Sequence, residues 1–307
     1  MTEAPQYLYQ SDIDTISTEQ AFINAEYQLN KKNIINAGIM HDHSDTSDAT
    51  TSSRISLNHH FTDNQTIRIS YAKATRSPFI FEEYTNYIVP GYTTIPGDLL
   101  YPLRPGWIDA VDLEPEKLSS KEIGYIGFFN NKTTEIDLRY YESSLDDIVN
   151  ISPDLAAAVS AGGLFFANTD SISMSGFEAS ISQKYNNSRL RFNFAHTNIV
   201  GETTMAYDQY ESGAPKESAS MLVMHDFSNT LTGSLGFYYT GGFKQLGTGD
   251  HQDARRRWDV RLAKEIKIDQ HKAKLAIAIQ NITDEVIETE LNNNIDRTGY
   301  VSFTMDF

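Results

Sequence analysis

The stretch "KEIGYIGFFNNKTTEIDLRYYES" runs from Lys121 to Ser143. Ile123, Tyr125, Gly127 and Phe129 share one parity, Asn130 to Thr133 interrupt it, and Ile136, Leu138 and Tyr140 resume the alternation opposite Glu135, Asp137 and Arg139. Period-two alternation around a short polar break is hairpin spacing. Each arm is about ten residues, long for a soluble hairpin and near the roughly 9–11 residues that cross a bilayer as a tilted strand. The fold therefore turns on which solvent the apolar face meets.

The same unit recurs along the chain. Ala21, Ile23, Ala25, Tyr27 and Leu29 lead into a turn at Asn30 to Asn33, and a second arm follows to about His43. Ile55, Leu57 and Phe61 precede a turn at Thr62 to Gln65, which returns through Ile67, Ile69 and Tyr71. Further hairpins turn near Asn186 to Ser188, Phe227 to Thr230 and Asp269 to His271, which makes six. The links between hairpins are longer: about eight residues after His43, roughly forty from Ser77 to Leu118, about twenty-five from Ser144 to Asn168, and medium loops near 201–216, 242–254 and 282–297. Tight turns on one rim and long loops on the other are the ordering of outer-membrane barrels, whereas soluble sandwiches mix lengths at both ends. Adding a first arm near Pro5 to Gln10 and a last from Arg297 to Phe307 gives an expectation of about fourteen strands.

Composition is compatible with that reading. No apolar run approaches a spanning helix, but a barrel turns only half of each strand to lipid and so tolerates a mean hydropathy of −0.42. With no cysteine in 307 residues there is neither a disulfide framework nor a thiolate site. A net charge of −16 argues against nucleic acid, which needs basic surface to displace counterions. No shift in composition divides the chain, which is read as one body over residues 1–307. The start lacks a basic and apolar leader, so no signal peptide is expected in it.

Several segments resemble, in order, the C-terminal half of a TonB-dependent outer-membrane receptor barrel. "ISYAKATRSPFIFEEY" from Ile69 is similar to that family's strand-to-loop segment, and "LEPEKLSSKEIGYIG" carries Pro115, Glu116, Lys117, Glu122 and Gly124 at matching places. "RYYESSLDDIVNIS" resembles the next strand and its exit, while "NTDSISMSGFEASI" matches through Asn168, Gly176 and Glu178. "APKESASMLVMHDF", "LAIAIQNITDEVIETE" and the terminal Phe307 complete the series. The resemblance implies an all-β, antiparallel transmembrane β-barrel portion with short periplasmic turns and long extracellular loops, part of a 22-strand barrel whose plug domain and first strands would lie N-terminal to Met1. It implies a bacterial outer-membrane location, no enzymatic activity, no cofactor, and uptake of a scarce small-molecule ligand such as a ferric siderophore. The implied partners are outer-membrane lipid and lipopolysaccharide, the TonB complex acting through the plug, and the barrel-assembly machinery reading Phe307. The competing classes are a passive pore or attachment surface, an outer-membrane hydrolase and a soluble β-protein.

Candidate ligand contacts lie in the longest loop, Glu82 to Glu116, where Tyr84, Tyr92, Tyr101, Arg104 and Trp107 supply rigid aromatic and cationic surface. The alternative there is aromatic packing within a folded lid. "HDHSD" at His41 to Asp45, with His59 and His60 nearby, is the one metal-like cluster, but alternation lets only His41 and His43 share a face, so no metal site is expected. Inward Arg139, Glu178, Arg191 and Arg261 read as barrel lining. In "ARRRWD", an outward Trp258 would turn Arg255 and Arg257 to the lumen and leave Arg256 to snorkel toward lipopolysaccharide phosphates.

Overall fold

The computed structural model describes residues 17–44, 47–79, 81–82, 87–88, 106–107, 113–151, 165–202, 209–244, 251–283 and 296–306. The strands are β1 (Thr18–Asn30), β2 (Asn33–Ser44), β3 (Ser47–Thr62), β4 (Gln65–Arg76), β5 (Tyr87–Ile88), β6 (Gly106–Trp107), β7 (Glu116–Phe129), β8 (Thr134–Ile151) and β9 (Phe166–Tyr185). They continue as β10 (Ser188–Glu202), β11 (Glu217–Ser228), β12 (Leu231–Thr240), β13 (Phe243–Lys244), β14 (His251–Gln252), β15 (Arg255–Ile268), β16 (His271–Gln280) and β17 (Thr298–Met305). Thirteen of them form one antiparallel sheet in which successive members are neighbours in space; β5–β6 and β13–β14 are separate ribbons of two-residue strands. The expected first arm near Pro5 to Gln10 lies outside the described residues.

All six tight turns fall where the alternation breaks. Asn30 closes the first by accepting hydrogen bonds at Oδ1 from the Lys32 and Asn33 amides, at 2.9 and 3.0 Å. Asn186 and Asp269 take φ of 49° and 52° in their turns, the left-handed conformation that Asn and Asp tolerate best after glycine.

The opposite rim departs from expectation. The link after His43 is not a loop of about eight residues: β2 continues to Ser44, β3 begins at Ser47, and these two residues face each other in register. Likewise β8 runs 18 residues to Ile151 and β9 runs 20 from Phe166, so both reach into the segment expected as loop. At roughly 3.3 Å per residue such strands reach on the order of 60 Å, about twice the hydrocarbon thickness even before tilt is considered. Their far ends mix polar and apolar residues, Ile148 and Asp170 are buried there, and the register shifts between Leu145 and Val149, so the alternation that marks a strand in lipid fades while the ladder continues.

Side-chain exposure identifies the solvent. Among the described residues only Ile148, Ala263, Ala273 and Ala276 are buried apolar side chains. Ile23 is 70 % exposed, Tyr27 66 % and Val301 74 %, and Ile55, Ile69, Ile277 and Phe303 are exposed too. A water-soluble sheet of this size would pack such a face against a second layer. Among the described residues no second layer covers it, and that face is the lipid side; the other face lines the lumen.

Candidate functional site

The lumenal face carries a row of alternating charge. Register aligns Asn58, Arg68, Gly124, Arg139, Glu178 and Ala195 across β3, β4, β7, β8, β9 and β10, with Glu122 one step outward on β7. Arg68 Nη2 lies 2.9 Å from Glu122 Oε1, Arg139 Nη1 lies 3.6 Å from Glu122 Oε2, and Arg139 Nη2 also pairs with Glu178. The row continues as neutral polar groups: Ser180 Oγ donates to Asn193 Oδ1 at 2.9 Å, and Asn193 Nδ2 donates to Ser220 Oγ at 3.0 Å. Beyond it the Arg257 guanidinium lies 4.6 Å from the Tyr238 ring centroid and pairs with Asp259 at 3.0 Å. Arg68, Glu122, Arg139, Glu178, Asn193 and Tyr238 border a concavity of about 790 Å³. Partly exposed pairs of this kind add little stability, so their main effect is to fix the orientation of charge along the wall.

At the outer end a second polar cluster ties the exits of neighbouring strands. Nine to eleven residues counted from the turn at Phe129 are enough to cross the bilayer, so Glu116, which opens the 14-residue β7, stands above the spanning segment. It faces Arg76, the last residue of β4. Arg76 Nε and Nη2 donate to the two Glu116 oxygens at 2.7 and 2.6 Å, and its Nη1 donates to Glu82 Oε2 at 3.0 Å. The Phe79 amide donates to the same Glu82 oxygen at 2.7 Å, while the Phe79 ring lies 4.7 Å from the guanidinium. Glu116 Oε1 further accepts from the Val149 amide at 3.0 Å. Burial acts to raise the Glu116 pKa, but the hydrogen bonds from Arg76 and Val149 and the cation beside it prevail, and it lies below the ordinary carboxylate range.

The cluster extends sideways. Asn168 accepts from the Glu114 amide at 2.8 Å and donates to the carbonyls of Glu114 and Asp147, at 2.8 and 2.6 Å. Lys117 Nζ bridges Glu114 and Asp147, both at 2.8 Å. Buried Asp170 accepts from Asn150 at 2.8 Å and from the Tyr210 hydroxyl at 3.1 Å. Tyr210 belongs to the short helix Gln209–Ser212; burial and then the bond to Asp170 push its phenol up to about 12. The exits of four strands, β4, β7, β8 and β9, and the helix that follows β10 are thus tied together by polar contacts.

The candidate residues from the sequence are distributed unevenly over this frame. Tyr84, Tyr92, Tyr101 and Arg104 lie outside the described residues, as does Phe307. Trp107 pairs through its backbone with Tyr87 in the β5–β6 ribbon. His41 and His43 share a face, but it is the outward one, and His41 Nδ1 meets only Thr51 Oγ1, at 3.3 Å. His59 and His60 are not near them: they bond to Asn33 and Thr66 at the turn end of the sheet, at 2.7 and 2.8 Å. Among the described residues no group of three or more His, Asp or Glu could hold a metal ion. Arg139 and Glu178 are lumenal as expected; Glu116 and Glu122 were singled out only through the resemblance, and their pairing with Arg76, and with Arg68 and Arg139, has no signal in the sequence. Arg76 and Glu116 flank the longest loop, and nothing in the sequence sets register across it.

Comparison with known proteins agrees with this architecture. A family model described as TonB dependent receptor-like, beta-barrel, matches residues 2–282. No curated protein matches the chain. Among solved structures, the ferric-catecholate import receptor Fiu from E. coli K12 superposes with a TM-score of 0.70 at 12 % identity, over 94 % of this chain and 44 % of that one. A variant of the ferric enterobactin receptor PfeA from Pseudomonas aeruginosa gives 0.71 at 14 % identity, over 94 % and 44 %. FpvAI in complex with pyocin S2 gives 0.68 at 12 %, over 94 % and 39 %. The chain spans less than half the length of these structures. An antiparallel sheet, polar within and apolar without, together with the family match over most of the chain's length, shows that the chain belongs to the TonB-dependent receptor β-barrels of the bacterial outer membrane, which are receptors and transporters and not enzymes.

Proposed function

We propose that the chain supplies lumen wall and outer loops to a receptor that takes up a scarce small-molecule ligand, such as a ferric siderophore, by energy coupling through the TonB complex and a plug domain. The observation that carries this reading is the fixed alternation Arg68, Glu122, Arg139, Glu178 beside the lumenal concavity. Oriented charges of both signs suit a polar ligand or a polar plug surface that must bind and then let go, because exposed pairs exchange partners at little cost. The siderophore class is supported by the ferric-catecholate and ferric enterobactin receptors among the similar structures. On the same reading β17 and Phe307 are the element that the barrel-assembly machinery engages.

The test is uptake of radio-iron supplied as a panel of ferric siderophores by cells whose only such receptor carries this segment. Uptake of one of them that a protonophore abolishes is the expected result. Uptake indifferent to the protonophore would identify a passive pore instead. A second reading, an attachment surface for a bacteriocin, is favoured by the similarity to FpvAI bound to pyocin S2; killing of expressing cells without any uptake would select it.

A further inference from the structure

The outward face of the sheet carries a cation and an anion side by side. Register sets Lys121 of β7 directly across from Glu142 of β8, both on the parity of the exposed apolar side chains. They do not bond to each other. Neither forms an ion pair among the described residues, and the Glu142 carboxylate accepts the Tyr140 hydroxyl at 2.8 Å. Next to the pair an apolar groove of about 660 Å³ runs over Leu57, Ile69, Ile123 and Tyr140. Ile69, Ile123 and Tyr140 are 53, 47 and 44 % exposed, so no other part of the described chain covers this patch.

Hydrocarbon is as apolar as the groove, so burying the groove gives no drive to associate in a membrane; packing and polar contacts decide it. A surface with one cation beside one anion is complementary to its own image. Two copies inserted in the same direction are related by an axis along the membrane normal. An axis passing between β7 and β8 brings Lys121 of each copy opposite Glu142 of the other, the reciprocal contact of an isologous interface. Strands of the two facing walls cross there, because each is tilted by about 35–45°, and contact is confined to the neighbourhood of the pair. Surrounding hydrocarbon strengthens the attraction relative to water. We propose that the chain self-associates in the bilayer through this patch, as a dimer held by two reciprocal Lys121–Glu142 contacts with Ile123 and Tyr140 packed around the axis. The patch faces away from the lumen, so the dimer neither requires nor blocks ligand uptake.

The chain has no cysteine, so a single introduced thiol reports contact without background. Ile123→Cys lies in the patch, and Ile277→Cys, on the outward face of β16 and 53 % exposed before substitution, is the distant control. Each full-length variant is reconstituted in vesicles of phosphatidylethanolamine and phosphatidylglycerol and treated with a bismaleimide. Ile123→Cys is expected to give a cross-linked dimer that persists as lipid is added, and Ile277→Cys to give little. Adding Lys121→Glu to Ile123→Cys sets like charges against each other and should lower the dimer about tenfold; adding Glu142→Lys as well should restore it. The heat-modifiable shift on electrophoresis separates loss of contact from loss of fold. If Lys121→Glu loses that shift, Lys121→Gln takes its place, with a smaller loss of dimer expected. No dimer from folded Ile123→Cys, as much dimer from Ile277→Cys, or a dimer that falls in proportion to dilution with lipid would overturn the proposal by showing random encounter in a lipid annulus. Survival of the dimer in folded Lys121→Glu, or failure of the reversed pair to restore it, would overturn the role of the charges and with it the proposed interface.

Discussion

Gly176 shows how one residue can be fixed by its neighbours across the sheet. It sits on the lumenal face between Tyr141 of β8 and Thr197 of β10, and the Tyr141 ring crosses above it so that its hydroxyl meets Thr197 Oγ1 at 2.8 Å. A Cβ at this position would lie 2.5 Å from the ring and 2.7 Å from the His196 carbonyl oxygen. The backbone contact cannot rotate away. Gly176→Ala should therefore destabilise the barrel by about 1–3 kcal/mol through overpacking, read as a lower urea midpoint for loss of the folded band on electrophoresis. Glu116 is a second such position. Its carboxylate is buried and holds Arg76 and the Val149 amide together, so Glu116→Gln leaves the guanidinium short of its charged partner at a cost of about 1–3 kcal/mol. Because its folded pKa is depressed, the stability it contributes is present above the unfolded value near 4 and is lost as pH falls through the lower folded value. The wild type should weaken more steeply than Glu116→Gln on acidification below about pH 4, which melting curves taken at stepped pH would reveal; parallel curves would remove Glu116 from the account.

At the scale of elements, the β7–β8 hairpin holds its turn in an unusual way. Asn130, Asn131 and Lys132 take φ of 50°, 55° and 64° in succession, and the turn is closed by the Thr133 amide donating to the Asn130 carbonyl at 3.2 Å. Two asparagines accept this conformation readily; a lysine does so at roughly 1 kcal/mol. Lys132→Gly should be neutral or stabilising, while Lys132→Val should cost about 1–2 kcal/mol, and comparing their unfolding rates in denaturant checks the order. The helix that carries Tyr210 offers a test in alkali. Its phenol is held neutral by burial and by Asp170, so the stability of that contact is complete below the unfolded value near 10 and is lost as pH rises through about 12. The difference between wild type and Tyr210→Phe in absorbance titration should therefore show one tyrosine ionising late. Hairpins and tight turns were legible in the sequence because lipid on one side and water on the other force alternation. The outer parts of β3, β8 and β9 were not, since runs such as Ser47 to Ser53 are polar on both parities and carry no period, and the register of β8 shifts between Leu145 and Val149. The same reason hid the Arg76–Glu116 pair: its register depends on strand pairing across a loop, which hydropathy does not encode.

For the whole molecule the decisive feature is the pair of edges. Among the described residues β1 pairs only with β2 and β17 only with β16, and no ladder joins β1 to β17. All 13 residues of β1 are exposed, and most of β17 is. Unpaired amides and carbonyls cannot face hydrocarbon, where each costs several kcal/mol, so both edges require further strands wherever the sheet spans a bilayer. The family to which the chain belongs, and the fraction of each similar structure that it covers, make additional strands of the same barrel the natural complement. Hydrogen exchange puts this to a direct test. In the chain held alone in detergent, the outward amides of β1 and β17 should exchange within seconds while those of β8 and β9 stay protected. Supplying the complementary strands in one polypeptide should protect the two edges together. Protection of both edges in the isolated chain, at a mass of one protomer, would mean that it closes on itself, and the complement would then have to be abandoned.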